Sequence, residues 1–529
     1  MLDYNNVTKK KIMKTEKLIL KMLALAIFIS VSSCGEDYLE ENPTTFVDPG
    51  RLVVDEEGAA IYLVGAYGAV QESVSSGTGA KSNEGFAVHW GTMATDEVVL
   101  PGWAGDRKLI FLQQVTSNNA TVENIWNNLY FSLNKVNSAV DKISALTADQ
   151  IDLDIRDTMV GEARFLRSTI NFALVSAWEN VPLIKNELAD FANIELPSQA
   201  TPEEVYEFII DDLKFAEANL EAGQGGGRAT KGAAQALLGK VYLQMTGFPL
   251  NQTDKFALAE VELQKVIDSG VYGLLQNYPE VFDLDNEQSK EMVFSIGMNG
   301  PGEREGGILS TFYGPNGNVN NGGGFGTCYV NASSVARYDD DDIRLLNNIA
   351  KHNANIWSPE EGMNNPVAWG NIDWQWRGWK WHASKPNDYT NDTPFDNPYI
   401  RYADVLLMYA EAQNGQGTLT QATLDFTVNA LRDRARLEAG AVPAMVLASQ
   451  SENADELLDE RYRELIFEGW RRNDLIRFGK YEDAVLGINQ SGWTTAGNPG
   501  PNYSDFRIRW PIPTAEMQLN PNLVQNPGY

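Results

Sequence analysis

The chain has little cysteine and little histidine. Its 529 residues contain two cysteines and three histidines. If Cys34 carries lipid, as argued below, Cys328 is left alone, so a disulfide framework is excluded. The histidines, His89, His352 and His382, show neither HExxH nor any other metal-ligand spacing. We therefore expect no metal site and no cofactor.

Basic residues are also scarce. The chain has 42 Lys and Arg against 71 Asp and Glu, a formal net charge of −29. Binding to nucleic acid requires a basic face that neutralises phosphates. Nucleic acid is therefore excluded as a partner, while a strongly acidic surface suits a well-solvated protein.

Long hydrophobic runs are missing except near the start. Met22 to Val31 is apolar but too short to cross a bilayer, which takes about 20 residues. Six lysines precede it, and Ser32-Ser33-Cys34 follows, as in a bacterial lipobox. We predict that residues 1–33 are a lipoprotein signal peptide and that acylated Cys34 anchors the chain in a membrane. Alternatively, Cys34 is an incidental residue after an ordinary cleavage site.

Catalytic motifs are absent as well. There is no GxSxG elbow, and residues 225–231 lack the glycine and hydroxyl that flank the lysine of a phosphate-binding loop. With 71 acidic residues, candidate carboxylate pairs for a glycosidase carry no specificity. The acidic clusters at Asp283–Asp285 and Asp339–Asp342 lack the EF-hand glycine and glutamate, so we expect solvated helix ends there. The sequence predicts a protein that is not an enzyme.

Helical periodicity is abundant. In Asn397–Asn414 two apolar faces repeat at helical spacing, which predicts a helix sandwiched between others, with Asn397 as N-cap and Pro398 at its first position. Thr201 before Pro-Glu-Glu predicts another capped start. Further helices are predicted at residues 57–74, 122–144, 152–178, 230–245, 256–269, 420–439 and 453–478. Leu238-Gly239-x-x-Tyr242 partly matches the tetratricopeptide pattern, in which the glycine admits the partner helix.

Two stretches break this rhythm. Residues 75–119 are rich in Gly, Ser and Thr, and residues 298–396 are rich in Gly, Asn and Trp. The second is far longer than an ordinary connection, which points to function, and its aromatic content disfavours disorder. We predict a mainly α-helical fold of tetratricopeptide-like hairpins, with a loop-rich inserted subdomain that contains a few short strands.

Charges of both signs alternate with apolar residues near the end of the last long helix. Glu460, Arg463, Glu464, Glu468 and Arg471 are spaced by three or four residues. Such spacing usually forms ion pairs on the polar face of a helix. We therefore interpret these charges as structural.

Several segments together resemble the SusD/RagB family of outer-membrane nutrient-binding lipoproteins. They run from the lipobox to the C-terminus: YLEENPTT after Cys34, GEARFLRSTINFALVSAWENVPLI (161–184), ATKGAAQALLGKVYLQM (229–245), YIRYADVLLMYAEAQN (399–414) with LRDRA (431–435), ERYRELIFEGWRRNDLIRFGK (460–480) and the tail WPIPTAEMQLNPNLVQNPGY. The lipobox departs slightly, with Val31-Ser32-Ser33 where Leu and Ala or Gly are more usual. The resemblance implies a helical body, a variable ligand-binding part, no catalysis, and a place on the outer face of the outer membrane over a TonB-dependent transporter.

The family's ligands include oligosaccharides, whose C–H faces stack on flat aromatic rings while their hydroxyls need polar partners. Six of the thirteen tryptophans lie in residues 357–381, interleaved with polar side chains. Our ligand-binding candidates there are Trp357, Trp374, Trp376 and Arg377. The alternative is that Trp374, Trp376, Trp379 and Trp381, spaced by twos, pack one face of a hairpin around Arg377-Gly378.

Trp103 is the strongest single candidate for ligand contact. It lies in a loop as Gly102-Trp103-Ala104-Gly105-Asp106, and an aromatic residue next to glycines gains little from core packing. Asp106 and Trp90 are its companions, and Tyr313, in the glycine-rich stretch 300–326, could form a further wall. The alternative for that stretch is a flexible loop that touches the transporter.

We expect a non-catalytic cell-surface protein that binds an oligosaccharide and delivers it to a TonB-dependent transporter. The other readings are a lipid-anchored glycoside hydrolase and a structural lid for a transporter of another nutrient. The predicted domains are a signal peptide (1–33), a tether (34–56), an N-terminal helical part (57–297) with the ligand loop 75–119, the insert (298–396), and a C-terminal helical part with the tail (397–529).

Overall fold

Helices dominate the computed structural model of the chain. It describes residues 52–75, 85–100, 105–188, 195–298, 306–314, 328–330, 332–339, 341–351, 376–382, 393–437, 441–488 and 499–529. The predicted signal peptide and Cys34 lie outside the described residues.

Nine helices of eight or more residues form the body within the described ranges: α1 (Glu56–Ser73), α4 (Ala120–Ser144), α5 (Leu153–Trp178), α6 (Pro202–Asn219), α7 (Lys231–Thr246), α8 (Lys255–Asp268), α12 (Tyr402–Gln416), α14 (Val428–Ala435) and α15 (Gln450–Leu465). The shorter ones are α2 (Phe86–His89), α3 (Asp106–Phe111), α9 (Leu309–Tyr313), α10 (Ala332–Val335), α11 (Ile343–Asn348), α13 (Gln421–Phe426), α16 (Arg471–Arg477), α17 (Tyr481–Leu486) and α18 (Thr514–Leu519). The predicted mainly α fold is confirmed.

The long helices pack in sequence. α4 contacts α5, α5 contacts α6, α6 contacts α7 and α7 contacts α8, while α12 lies between α8 and α15. A stack of this kind needs only neighbour contacts to build a large core. Where α7 meets α8, a Cβ on Gly239 would lie 2.6 Å from Leu263 Cγ, so the helices approach as closely as the glycine of the motif predicts.

Local capping explains where several helices begin. Thr201 accepts the Glu204 N–H and Glu204 bonds back to the Thr201 backbone, a complete capping box before α6. Asp152 and Thr230 cap α5 and α7 through their side chains. The predicted starts of these three helices are therefore correct to within a residue.

The predicted helix at Asn397–Asn414 begins too early. Asn397–Arg401 is strand β6, which pairs antiparallel with β3 (Met292–Ile296), and α12 starts at Tyr402. The register pairs Ile296 with Asn397 and Met292 with Arg401. All five residues of β6 are buried, so an apolar run that suits a helix here builds a fully covered strand.

Two further strand pairs lie in the described part of the chain. β1 (Val181–Pro182) pairs with β2 (Gln199–Ala200), and β4 (Ile349–Lys351) pairs with β5 (Trp376–Gly378), both antiparallel. The second pair lies within the predicted insert and matches the expectation of a few short strands there.

One main hydrophobic core joins the helices before and after the insert. Its buried residues run from Val53 to Leu523 and include rings of the insert such as Phe312 and Trp381. Among the described helices, none is both long and apolar enough to cross a membrane.

Candidate functional site

A short turn between α15 and α16 organises the candidate site. We call residues 464–470 the anchoring turn; they end the helix predicted to run unbroken from 453 to 478. Phe467 has φ +66° and Gly469 has φ +83°, in the left-handed region where only glycine is unstrained. A non-glycine residue held there marks a site where surrounding contacts over-determine the backbone.

The segment leading to Trp103 is fastened to this turn. Glu97 Oε1 accepts the Phe467 N–H at 3.2 Å, and Arg472 N–H donates to the Gly91 carbonyl at 3.0 Å. A Cβ on Gly91 would lie 1.9 Å from the Gly469 oxygen, so the two backbones touch. The chain that ends at Leu100, just before residues 101–104, is therefore fixed at its base.

The glycine-rich stretch of the insert is held at the same place. Tyr313, directly before residues 315–327, packs its ring on Phe467 with centroids 4.5 Å apart, and its hydroxyl shares a 2.9 Å hydrogen bond with Thr92. Gly378 fits against both rings, since a Cβ there would lie 2.6 Å from Tyr313 Cβ and 3.0 Å from Phe467.

Lys380 attaches β5 and the residues after it. Its ammonium group donates to the Glu464 carbonyl at 2.8 Å, the Ile466 carbonyl at 3.1 Å and Glu468 Oε1 at 2.5 Å. Three donors are thereby matched by three acceptors, as burial of the charge requires. Burial lowers the pKa of Lys380 to about 8, although Glu468 opposes this shift.

Backbone ladders join these ends to one another. Val99 and Tyr329 exchange hydrogen bonds of 2.7 and 2.9 Å, and Val330 N–H donates to the Trp376 carbonyl at 3.0 Å. Gly307 and Thr393 form a similar bridge. At least one end of each of four segments, residues 101–104, 315–327, 352–375 and 383–392, is therefore held on one hydrogen-bonded platform.

A large set of buried ion pairs supports the anchoring turn. Arg401, fully buried, reaches Glu291 at 2.8 Å, Glu464 at 3.2 Å and Glu468 at 2.7 Å. Arg344 joins Glu460 and Glu464 in the same way. The other members are Asp342, Lys380, Arg432, Arg434 and Arg463. The predicted ion pairs are present, and partners from distant segments bury the polar face of the helix on which they lie.

Glu97 is a fully buried carboxyl of the platform. Among the described residues, no Lys or Arg forms an ion pair with it. Burial raises its pKa to about 8, Arg471 and the Phe467 N–H oppose this, and Asp96 adds to it. Burial would raise the pKa of Asp96 too, but bonds from Arg471 and Arg337 hold it well below its usual range. The pKa values of these adjacent carboxyls thus differ in direction because, in the described part of the chain, arginines form ion pairs with Asp96 and not with Glu97.

We predict that Glu97→Gln gains stability relative to wild type as the pH rises. The folded pKa lies above the unfolded value of about 4.5, so between pH 5 and 8 the unfolded state binds fewer protons and the wild type loses stability. The loss is on the order of a kcal/mol per pH unit. Urea unfolding of both forms from pH 5 to 8 measures it, with exposed Glu221→Gln as the control; parallel curves for Glu97→Gln and wild type would rule out a neutral Glu97.

Two of the predicted ligand contacts lie in the interior. Trp90 is 1% exposed, and its Nε1 donates to Asn473 at 2.6 Å. Tyr313 is also 1% exposed, between Phe467 and Thr92. Both rings are enclosed by protein, so the expectation that they form walls of an open site is corrected: they fix the platform.

Other candidates lie at its edge. Trp376 is half-buried in β5, and Arg377 is buried with its guanidinium 3.2 Å above the Tyr329 ring. Asp106 lies against the start of α4, where its carboxylate accepts the Ala120 N–H at 3.0 Å beside the N-cap residue Asn119. Tyr329, which sequence reasoning missed, is half-buried between buried Cys328 and Val330. This alternation is visible only in the structure, because Cys328, Tyr329 and Val330 show no polar–apolar alternation in sequence.

Trp103, Trp357 and Trp374 lie outside the described residues. Their roles as ligand contacts stay predictions. The structure describes only residues that flank the segments containing them.

No cluster of three or more His, Cys, Asp or Glu side chains that could hold a metal occurs among the described residues. Burial lowers the pKa of His89 to about 4, so it is neutral. The cavity beside the anchoring turn measures about 40 Å³, with Trp470, Tyr399 and Trp381 in its lining. That volume admits a few water molecules and no sugar ring.

Comparison with known proteins identifies the family. Residues 290–529 match the model described as "SusD family", and residues 62–243 match the model described as "Starch-binding associating with outer membrane". A relative, SusD-like protein P38 of Formosa agariphila, is 24% identical over 98% of this chain and 100% of its own length.

Solved structures agree in fold. A SusD homologue from Bacteroides thetaiotaomicron superposes with a TM-score of 0.76 at 24% identity, over 94% of this chain and 100% of that one. Surface glycan-binding protein A from the same species, in complex with laminarihexaose, gives a TM-score of 0.71 at 20% identity, over 89% and 99%. The chain belongs to the SusD/RagB family.

Proposed function

We propose that this protein is a non-catalytic cell-surface binder of oligosaccharides. The observation that carries the proposal is the fastening of four segments on one platform, with half-buried Tyr329 and Trp376 at its edge. Trp103, Trp357 and Trp374 belong to two of those segments. A structural neighbour, surface glycan-binding protein A, has been solved with a hexasaccharide.

The chemistry of such a site is passive. Aromatic rings offer faces for the C–H side of a sugar, and nearby polar groups take its hydroxyls. A shallow site of this kind suits an extended glycan chain.

The partners follow from the family. Its description places related proteins with the outer membrane. We propose that acylated Cys34 holds this chain on the extracellular side of that membrane, and that it passes its ligand to a TonB-dependent transporter of the SusC type. Resemblance of the whole chain to the SusD/RagB family supports this placement.

Retardation in native gels tests the function. Protein starting at residue 35 is run through gels that contain single polysaccharides, and reducing ends are measured after incubation with the same polysaccharides. We expect retardation by at least one glycan and no release of sugar. Release that persists after repurification would favour a glycoside hydrolase instead. Absence of retardation by every glycan would favour a lid for another nutrient.

Cys34→Ala tests the anchor. Without the acceptor thiol no acyl chains can be attached, so the full-length variant should leave the membrane fraction, whereas wild type and a Cys328→Ala control should stay there. Fractionation followed by immunoblotting measures this. Unchanged membrane association of Cys34→Ala would mean that something other than lipid holds the protein.

A further inference from the structure

A second surface feature shares no lining residue with the platform. It is an open groove of about 610 Å³ where α4 meets the C-terminal tail, which we call the tail groove. Its apolar lining includes Phe131, Pro182, Leu188, Leu196, Leu519 and Leu523. Phe131 is 59% and Leu519 71% exposed, and Val524, close by in sequence, is 72% exposed. Clustered large apolar side chains on a surface mark an interaction site rather than chance.

The walls of the tail groove are fixed by hydrogen bonds. Tyr130 Oη donates to the Pro182 carbonyl at 3.0 Å, which ties α4 to the segment before β2. Asn520 Nδ2 donates to the Pro197 carbonyl at 2.8 Å, and Asn522 Nδ2 to the Leu196 carbonyl at 2.7 Å. The groove is therefore formed before any partner arrives, which lowers the entropy lost on binding.

Carboxylates border this apolar surface. Glu516, partly buried in the lining, accepts a hydrogen bond from the Trp126 side chain. Burial raises its pKa, and the nearby Glu123 raises it further. Neither carboxylate has an ion pair with any described Lys or Arg. An arriving cation would offset both the desolvation of Glu516 and its repulsion by Glu123, so the Glu516 end of the groove is complementary to a basic group beside apolar ones. The Phe131 ring, by contrast, already has Lys135 at 4.6 Å from its centre.

We propose that the tail groove docks a segment of a partner protein that presents two or three apolar side chains next to an Arg or Lys, and that the cation pairs with Glu516. This goes beyond glycan binding and does not depend on it. The surface walls are aliphatic with one well-exposed ring, Phe131, which suits a peptide better than a sugar. A second copy in a two-fold dimer would bring the acidic borders of both grooves together, which charge repulsion disfavours.

Selection of peptides from a random twelve-residue phage-displayed library tests the proposal. The bait is the mature chain from residue 35, which contains the complete compact unit Val53–Tyr529. We expect the enriched peptides to share apolar residues beside Arg or Lys. Their affinity, measured with synthetic peptides by fluorescence polarisation, should fall at least tenfold in Phe131→Asp and in Glu516→Lys.

The matched control is Val446→Asp. Val446 is 73% exposed and lies outside the lining of the groove, so peptide affinity should not change. Because Phe131 and Val446 are both well exposed, their variants should keep the wild-type melting temperature. Retardation by glycans should be the same in all four proteins.

Four results would overturn the proposal. They are failure to enrich any peptide, a consensus without a basic residue, peptide affinity unchanged in Phe131→Asp, and loss of glycan retardation in that variant, which would make the groove a sugar site. A concentration-dependent dimer seen by sedimentation and abolished by Phe131→Asp would overturn it too, in favour of a second copy. Failure of glycan binding in wild type would instead refute the proposed function and would not affect the proposal for the tail groove.

Discussion

Replacing Arg401 by Met should lower the free energy of unfolding by about 3–5 kcal/mol, the range found when one partner of a buried ion pair is removed. Arg401 is fully buried and bonds to Glu291, Glu464 and Glu468. Without it, Glu468 keeps only Lys380 as an ion-pair partner among the described residues. Burial would raise the pKa of Glu468, and Arg401 is the first of the groups that lower it.

Urea unfolding measures this loss, and two further variants interpret it. Lys480→Met removes an ion pair with Asp455 of which both partners are exposed, so it should cost about 1 kcal/mol or less. Arg401→Lys keeps the charge but loses the planar fork, and should fall between the two. If Arg401→Met unfolds at the same urea concentration as Lys480→Met, the buried network does not support the anchoring turn.

Trp103→Ala should weaken glycan binding about tenfold or more, because removal of a central tryptophan from an interface commonly costs 2 kcal/mol or more. The residue lies between Leu100, which is fully buried, and Gly105, whose φ of +69° suits glycine. Since the described chain on either side is fixed without it, the melting temperature should change little. Isothermal titration with the glycan that retards the protein most gives the affinity.

Phe426→Ala is the control for that measurement. Phe426 is 50% exposed on α13, away from the platform, so its loss removes an exposed ring without touching the site. Its affinity should equal that of wild type. Wild-type affinity in Trp103→Ala would place the sugar elsewhere, whereas a large fall in melting temperature would show that Trp103 packs in the interior.

Most of the helical frame could be predicted because its signals are local. The capping box at Thr201 and the apolar period of α4 each depend on residues within a few turns, and the close packing at Gly239 joins two helices that are consecutive in the chain. These features decide that the protein is helical and where its hairpins lie. Each of these helices then packs mainly on the helices next to it along the chain.

Strand β6 could not be predicted for the opposite reason. Its partner β3 lies about a hundred residues earlier, and nothing near Asn397 reports it. Pro398 fits the first position of a helix as well as a strand, so local chemistry favours the wrong element. Only the pairing with Met292–Ile296 decides between them.

The charges around Glu464 show the same limit. Their spacing along α15 predicts ion pairs, but burial comes from Arg344, Arg401 and Arg434, which lie far away in sequence. The polar face of this helix is covered by the insert and by β6. The network is therefore visible only in the fold.

The sequence identifies candidate aromatic rings for the site but does not decide which role each ring has. Spacing cannot tell a ring that holds a loop from a ring that meets a ligand, and Trp90 and Tyr313 belong to the first kind. Trp376 and the unforeseen Tyr329 are half-buried, so they remain candidates for the second kind. The difference is set by contacts with the anchoring turn, which comes almost four hundred residues after Trp90.

A crystal structure of the protein from residue 35, grown with the oligosaccharide that retards it most, tests the central claim most directly. We predict an intact sugar chain stacked on at least one ring of the segments held by the platform, with Trp103, Tyr329 and Trp376 as the first candidates. A cleaved sugar, or a sugar bound at a surface remote from residues 99–106, 328–330 and 376–378, would contradict it.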